Sequence, residues 1–242
     1  ADFGSGGEED TLNLARELGG LGVIIKVNTV LRESGYVLID KLHELGVGVF
    51  ADLKLNDIPA TMAGDADTLT AYEPEILTVM CSAEVDGMRA VAENIGEATE
   101  TLGVTVLTSQ DEEQCQNVFG CSTKAGVLRF ARMAQLAGLP GLILSPKEVE
   151  VVRRRPELAS LTINTPGVRP EGTVVANDDQ ARVLTPRKAM ELGVDRIVVG
   201  RPITRSDKPR VVVEAILSEI AEGLPNEPDW DEIDVGNPFS DQ

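Results

Sequence analysis

Aromatic side chains are scarce in this chain, at 3 % of residues, so its core has to be built from the Val, Ile, Leu and Ala that dominate a 42 % hydrophobic fraction. Aliphatic and β-branched material of that kind suits a parallel sheet buried on both faces. Histidine occurs once, as His43, and cysteine three times, as Cys81, Cys115 and Cys121. Three thiols, spaced unlike zinc ligands and with one imidazole to join them, argue against both a disulfide framework and a zinc module. Reduced, structural thiols in a cytoplasm are expected. Bases are few as well: 22 Lys and Arg stand against 40 Asp and Glu, a net charge of -18. That field repels nucleic acid and anionic lipid, so any phosphate bound here is small and held locally. Solubility and a salty habitat account for the acidity equally well. No run of about 18 apolar residues occurs, and no basic segment followed by an apolar stretch opens the chain, so neither a membrane span nor a signal peptide is supported. A soluble, cytoplasmic protein is expected.

What is present is an alternation. Short runs rich in β-branched residues recur at Val23 to Val27, Val47 to Asp52, Ile76 to Met80, Val104 to Leu107, Gly141 to Leu144, Leu161 to Ile163 and Arg196 to Val199. Between them, segments such as Asp10 to Leu18, Tyr36 to Leu45, Val127 to Leu136 and Arg210 to Ile220 carry apolar residues at a spacing near 3.6 with charges opposite. Strand and helix in turn imply parallel βαβ units. The 242 residues are about what one (β/α)8 TIM barrel needs. A single domain is expected over residues 1–223. Seven strands are visible, and the eighth can only lie before Asp2, so most of the first strand is expected to be missing at the N-terminus. Leu224 to Gln242 carries three prolines, six acids and no base, the composition of a disordered or surface-laid acidic tail.

The stretch with most chemistry is Phe50-Ala51-Asp52-Leu53-Lys54-Leu55-Asn56-Asp57-Ile58-Pro59-Ala60-Thr61. Residues two apart on a strand point the same way, so Asp52 and Lys54 project together at the C-terminal strand end, where barrel enzymes place their sites. Asp57 follows on the loop. Lys26 sits inside another apolar strand, a costly place for an ammonium unless it meets carboxylates. A lone Asp-x-Lys reads as a buried ion pair or a solvated strand end. Two lysines and two aspartates converging on one barrel mouth form an alternating charge array.

The pattern Asp52-x-Lys54-x-x-Asp57-Ile58-Pro59-x-Thr61 resembles the signature of the orotidine monophosphate decarboxylase family. The similarity continues in order along the chain. Lys26-Val27 is similar to that family's second-strand lysine, Val106-Leu107-Thr108-Ser109 to its fifth-strand end, and Leu144-Ser145-Pro146-x-Glu148 to its sixth. Thr165-Pro166-Gly167-Val168-Arg169-Pro170 resembles its seventh-strand loop, Asp178-Asp179-Gln180 the segment covering the nucleotide, and Val199-Gly200-Arg201-Pro202-Ile203-Thr204 its eighth-strand phosphate site. The phosphate assignment also has a physical basis: the last two strand loops of a barrel commonly bind phosphate, Gly200 lets a backbone N–H approach, and Arg201 offers a planar fork of donors. Arg169 and Gln180 can add to it. Met80 departs from the resemblance, standing where the family usually has histidine.

The resemblance implies conversion of orotidine monophosphate to uridine monophosphate and carbon dioxide without a cofactor or metal. It makes Lys26, Asp52, Lys54 and Asp57 catalytic. Ile58, Thr61, Pro166, Arg169, Gln180, Gly200 and Arg201 become substrate-binding, with Asp2 on the ribose and Thr108 or Ser109 on the pyrimidine. It also implies a homodimer in which Asp57 reaches the neighbouring subunit's site. Two rival readings are a magnesium-dependent sugar-phosphate decarboxylase or aldolase on the same barrel and an inactive phosphate-binding fragment. Ile58-Pro59 and the pairing of Asp-Gln with Gly-Arg-Pro favour the nucleotide enzyme.

Overall fold

The computed structural model describes residue 1, residues 3–170 and residues 184–224. Among these, seven strands form one all-parallel sheet in chain order: β1 (Ile24–Val27), β2 (Gly48–Leu55), β3 (Ile76–Met80), β4 (Glu100–Val104), β5 (Gly141–Ile143), β6 (Thr162–Pro166) and β7 (Arg196–Val198). The sheet curls into a partial barrel. The helices on its outer side are α1 (Glu8–Leu18), α2 (Thr29–Ser34), α3 (Val37–Glu44), α4 (Pro59–Thr70), α5 (Glu84–Asn94), α6 (Glu112–Phe119), α7 (Thr123–Leu136), α8 (Val149–Arg153), α9 (Pro186–Glu191), α10 (Arg201–Thr204) and α11 (Pro209–Gly223). None of the described helices is long and apolar enough to cross a membrane.

Alternation along the strands divides the apolar residues between two cores. Ile25, Val27, Val49, Ala51, Leu77, Val79, Leu142 and Ile163 join the large core between sheet and helices. Phe50, Ile76 and Leu102 pack instead with Ile143 and Val198 as a small cluster inside the curl. Leu77 and Leu142 are fully buried, and each such side chain stabilises the fold by about 1.5 to 3 kcal/mol. Lys26 is the register partner of Phe50 and therefore shares its inner face. The sheet thus carries an ammonium into the barrel mouth by parity alone.

Two expectations are corrected here. The fourth strand runs Glu100–Val104, upstream of the expected Val104 to Leu107. Its charged first residue is accommodated because Glu100 faces inward, where Arg196 pairs with it at 2.6 Å and the Thr162 hydroxyl donates to it at 3.0 Å. Only Thr105 prolongs the ladder, donating to the Ile143 carbonyl at 3.1 Å, before a turn closes from Gln110 to Leu107. The eighth strand upstream of Asp2 is not confirmed. β1 and β7 are the two ends of the strand order, and Asp2 lies outside the described residues. The Ala1 ammonium donates to the Lys26 carbonyl at 2.7 Å, placing that residue beside β1. The expected tail, from residue 225 onward, also lies outside the described residues.

Candidate active site

The site begins with an irregularity in β2. Between the pairs Ala51↔Leu77 and Leu55↔Val79, β2 advances four residues while β3 advances two. The surplus forms a bulge, and Lys54 takes a left-handed backbone with φ 52. For a residue with a Cβ that conformation costs on the order of 1 to 2 kcal/mol, and it persists where surrounding contacts hold it. Those contacts are specific. The Lys54 N–H donates to Thr78 Oγ1 at 3.0 Å, and the neighbouring Leu53 carbonyl accepts from the Arg32 guanidinium at 2.6 Å. Asp52 and Lys54 do converge, yet a bulge aims Lys54, so simple two-residue alternation is not the reason.

Asp52 is the centre of the arrangement, only 7 % exposed. Its Oδ2 receives Lys26 Nζ at 2.8 Å. Its Oδ1 receives Lys54 Nζ at 2.7 Å and the Thr78 hydroxyl at 2.9 Å. Burial alone pushes the Asp52 carboxyl up, but the ammonium groups of Lys26 and Lys54 outweigh it and hold the carboxyl at about 2, below its ordinary 3.8. Two ammonium groups share one carboxylate, so the trio carries a net positive charge. Both lysines keep about a third of their side-chain surface open, at 27 % and 31 %, so a ligand in the mouth can reach them. Such an array can bind an anion and stabilise negative charge developing beside Lys54.

The other expected residues are spread around this centre. Asp57 is exposed, accepts from the Ile58 N–H at 2.7 Å and makes no ion pair with either lysine of its own chain. Ile58 and Thr61 are exposed at the start of α4, Ile58 to 65 %. Thr108 and Ser109 are exposed on the loop after β4, and Pro166 ends β6. Arg169 is buried just beyond, its N–H bonded to the Leu184 carbonyl at 3.0 Å. Gly200 and Arg201 are exposed where α10 begins. Gly200 has a φ of -109, and a Cβ there would meet nothing within 4 Å among the described residues. Asp2 and Gln180 lie outside the described residues. Sequence reasoning missed Thr78 and Arg32; a buried hydroxyl inside an apolar strand, one register step from Ile76, was the available signal for the first.

Comparison with known proteins identifies the family. The model of the "Orotidine 5'-phosphate decarboxylase / HUMPS family" matches residues 2–216. An orotidine 5'-phosphate decarboxylase of Alcanivorax borkumensis is 37 % identical over 215 residues, covering 87 % of this chain and 92 % of that protein. One from Dictyoglomus thermophilum is 40 % identical over 200 residues, covering 77 % and 80 %. The crystal structure of orotidine 5'-phosphate decarboxylase from Lactobacillus acidophilus superposes with a TM-score of 0.69 at 31 % identity, over 81 % of this chain and 85 % of that one. With the family model spanning nearly the whole described structure and the charged trio in place at the strand ends, this chain belongs to the orotidine 5'-phosphate decarboxylase / HUMPS family.

Proposed function

We propose that the chain decarboxylates orotidine 5'-phosphate to uridine 5'-phosphate, with Lys54 as the proton donor. The observation that carries this reading is the trio of Lys26, Asp52 and Lys54, locked at 2.7 to 2.8 Å in the barrel mouth. In the reaction the bond from C6 to the carboxylate breaks, carbon dioxide leaves, and the electron pair stays on C6. The Lys54 ammonium stabilises that pair and then delivers a proton to it. Asp52 lies beside the leaving carboxylate, favours its departure and holds Lys54 in place.

A barrier reduction of roughly 20 kcal/mol, the upper range for enzymes, exceeds what one ion pair supplies. Remote binding of the phosphate therefore contributes, through Arg201, Arg169 and Gln180 together with the backbone at Gly200. That no described residue lies within 4 Å of a Cβ placed on Gly200 supports that reading. Thr108 or Ser109 meets the pyrimidine and Asp2 the ribose. The magnesium-dependent alternative is disfavoured by the donor set, because both oxygens of Asp52 are taken by ammonium groups and the Thr78 hydroxyl. The proposal includes a cytoplasmic homodimer and closure of the barrel by an eighth strand beside β1. In the dimer Asp57, exposed and making no ion pair with Lys26 or Lys54 of its own chain, completes the partner's site. Production of uridine 5'-phosphate and carbon dioxide from orotidine 5'-phosphate, unaffected by a chelator, is the direct test; loss of activity on chelation returns the magnesium reading.

A further inference from the structure

The α6–α7 connection holds two thiols that the proposed reaction does not use. α6 ends in Gly120, left-handed at φ 69, whose N–H donates to the Gln116 carbonyl at 2.9 Å. A glycine reversal of this kind folds the chain back over the last turn and lays the following residue against a side chain one turn inside the helix. The following residue is Cys121 and the inner one is Cys115. Both sulfurs face the same spot beside Gly126 of α7, each 3.5 Å from the place a Cβ on that glycine would occupy. Glycine at 126 leaves the pair its room.

The two positions differ in access. Cys121 is half-buried and Cys115 is buried. Burial first, and then the neighbouring Cys121 thiol, push the Cys115 thiol up. Cys81, the remaining cysteine, is buried, and burial pushes its thiol up strongly. It is shielded from reagents in solution.

We infer that Cys115 and Cys121 form a redox-active dithiol that closes to a disulfide when Cys121 meets a low-molecular-weight disulfide of the glutathione class. Cys121 releases its proton and attacks one sulfur of the reagent, whose disulfide bond breaks and expels one small thiolate. Cys115 then gives up its proton and attacks the Cys121 sulfur, forming the protein disulfide and expelling the second small thiolate. The dithiol loses two electrons and two protons, and the reagent gains both to become two thiols.

The test uses the full chain, held folded in glutathione mixtures from fully reduced to fully oxidised, quenched in acid, alkylated and cut with trypsin. Cleavage after Arg89 and Lys124 puts Cys115 and Cys121 on one peptide and leaves Cys81 on the preceding one. The expected result is that peptide 90–124 becomes lighter by two hydrogens and refuses the alkylating reagent under oxidising conditions, while the Cys81 peptide stays fully alkylated. Cys115→Ser is expected to stop the reaction at a mixed disulfide on Cys121. A folded protein whose peptide 90–124 stays doubly alkylated across the series, or closes only in denaturant, overturns the inference and leaves the pair as apolar packing at a helix end.

Discussion

The Thr78 hydroxyl clamps Lys54 indirectly at both ends: it accepts from the Lys54 backbone N–H at 3.0 Å and donates at 2.9 Å to the Asp52 oxygen that Lys54 Nζ grips. Thr78 is fully buried on β3, so neither bond competes with water. One side chain therefore fixes a left-handed backbone and the carboxylate its ammonium must meet.

Replacing Thr78 with Val keeps the shape and removes both bonds. A cost of about 1 to 3 kcal/mol in stability is expected, the usual range when buried polar partners are left unmatched. Because Thr78 positions Lys54 without touching substrate, kcat should fall by on the order of ten-fold with KM nearly constant, as for an interaction felt in the transition state. Thr78→Ser should restore both properties. Unfolding curves and steady-state kinetics on the two variants check this; an unchanged kcat in Thr78→Val would remove the clamp from the mechanism.

The Asp52 carboxyl, held at about 2 against an ordinary 3.8, links the site to acid stability. A depressed carboxyl stabilises the fold above its unfolded value and loses that contribution as pH falls through its folded value. At about 1.4 kcal/mol per unit, the loss is about 2 kcal/mol between those two values. Asp52→Asn lacks this titration, so the stability gap between wild type and variant should narrow over that window in urea unfolding at stepped pH. A gap that stays constant would show that the lysines do not hold the carboxyl down.

Arg201 is exposed at the start of α10, next to Gly200. Arg201→Ala is expected to weaken kcat/KM by on the order of 2 to 4 kcal/mol, the loss of a charged partner for a phosphate. Lys26→Ala and Asp52→Ala should instead lower kcat steeply. Kinetics with the phosphorylated substrate decide the matter, since an unaltered kcat/KM in Arg201→Ala would put the phosphate elsewhere.

Much of this was legible in the residues, for identifiable reasons. β-branched runs marked six of the strands because their outward faces are buried under helices, and Lys26 stood out because an ammonium in such a run needs a partner. β4 was misplaced because its inner face starts with Glu100, a charge made acceptable by Arg196 and Thr162, both distant in sequence. The bulge at Lys54 was not legible, since it depends on Thr78 and Arg32, two side chains remote in sequence. Pleat parity gave the right neighbours for Lys54 through the wrong geometry.

Asp57, exposed and unpaired with its own Lys54, gives the shared-site dimer a sharp consequence. Two-fold symmetry makes the exchange reciprocal, so mixing inactive Lys54→Ala with inactive Asp57→Ala creates dimers with one doubly damaged site and one intact site. With random pairing about half the dimers are mixed, and activity should recover to about a quarter of wild type. A mixture that stays inactive after exchange is demonstrated would confine Asp57 to its own chain.

The central claim is that Lys54 acts on charge that appears at C6 only during reaction, and its most direct measurement is turnover of orotidine 5'-phosphate by Lys54→Ala beside the dissociation constant of a uridine 5'-phosphate analogue. The expected result is turnover lost with analogue binding largely retained, because the phosphate and ribose are assigned to residues other than Lys54. A Lys54→Ala protein that still decarboxylates at the wild-type rate would contradict it.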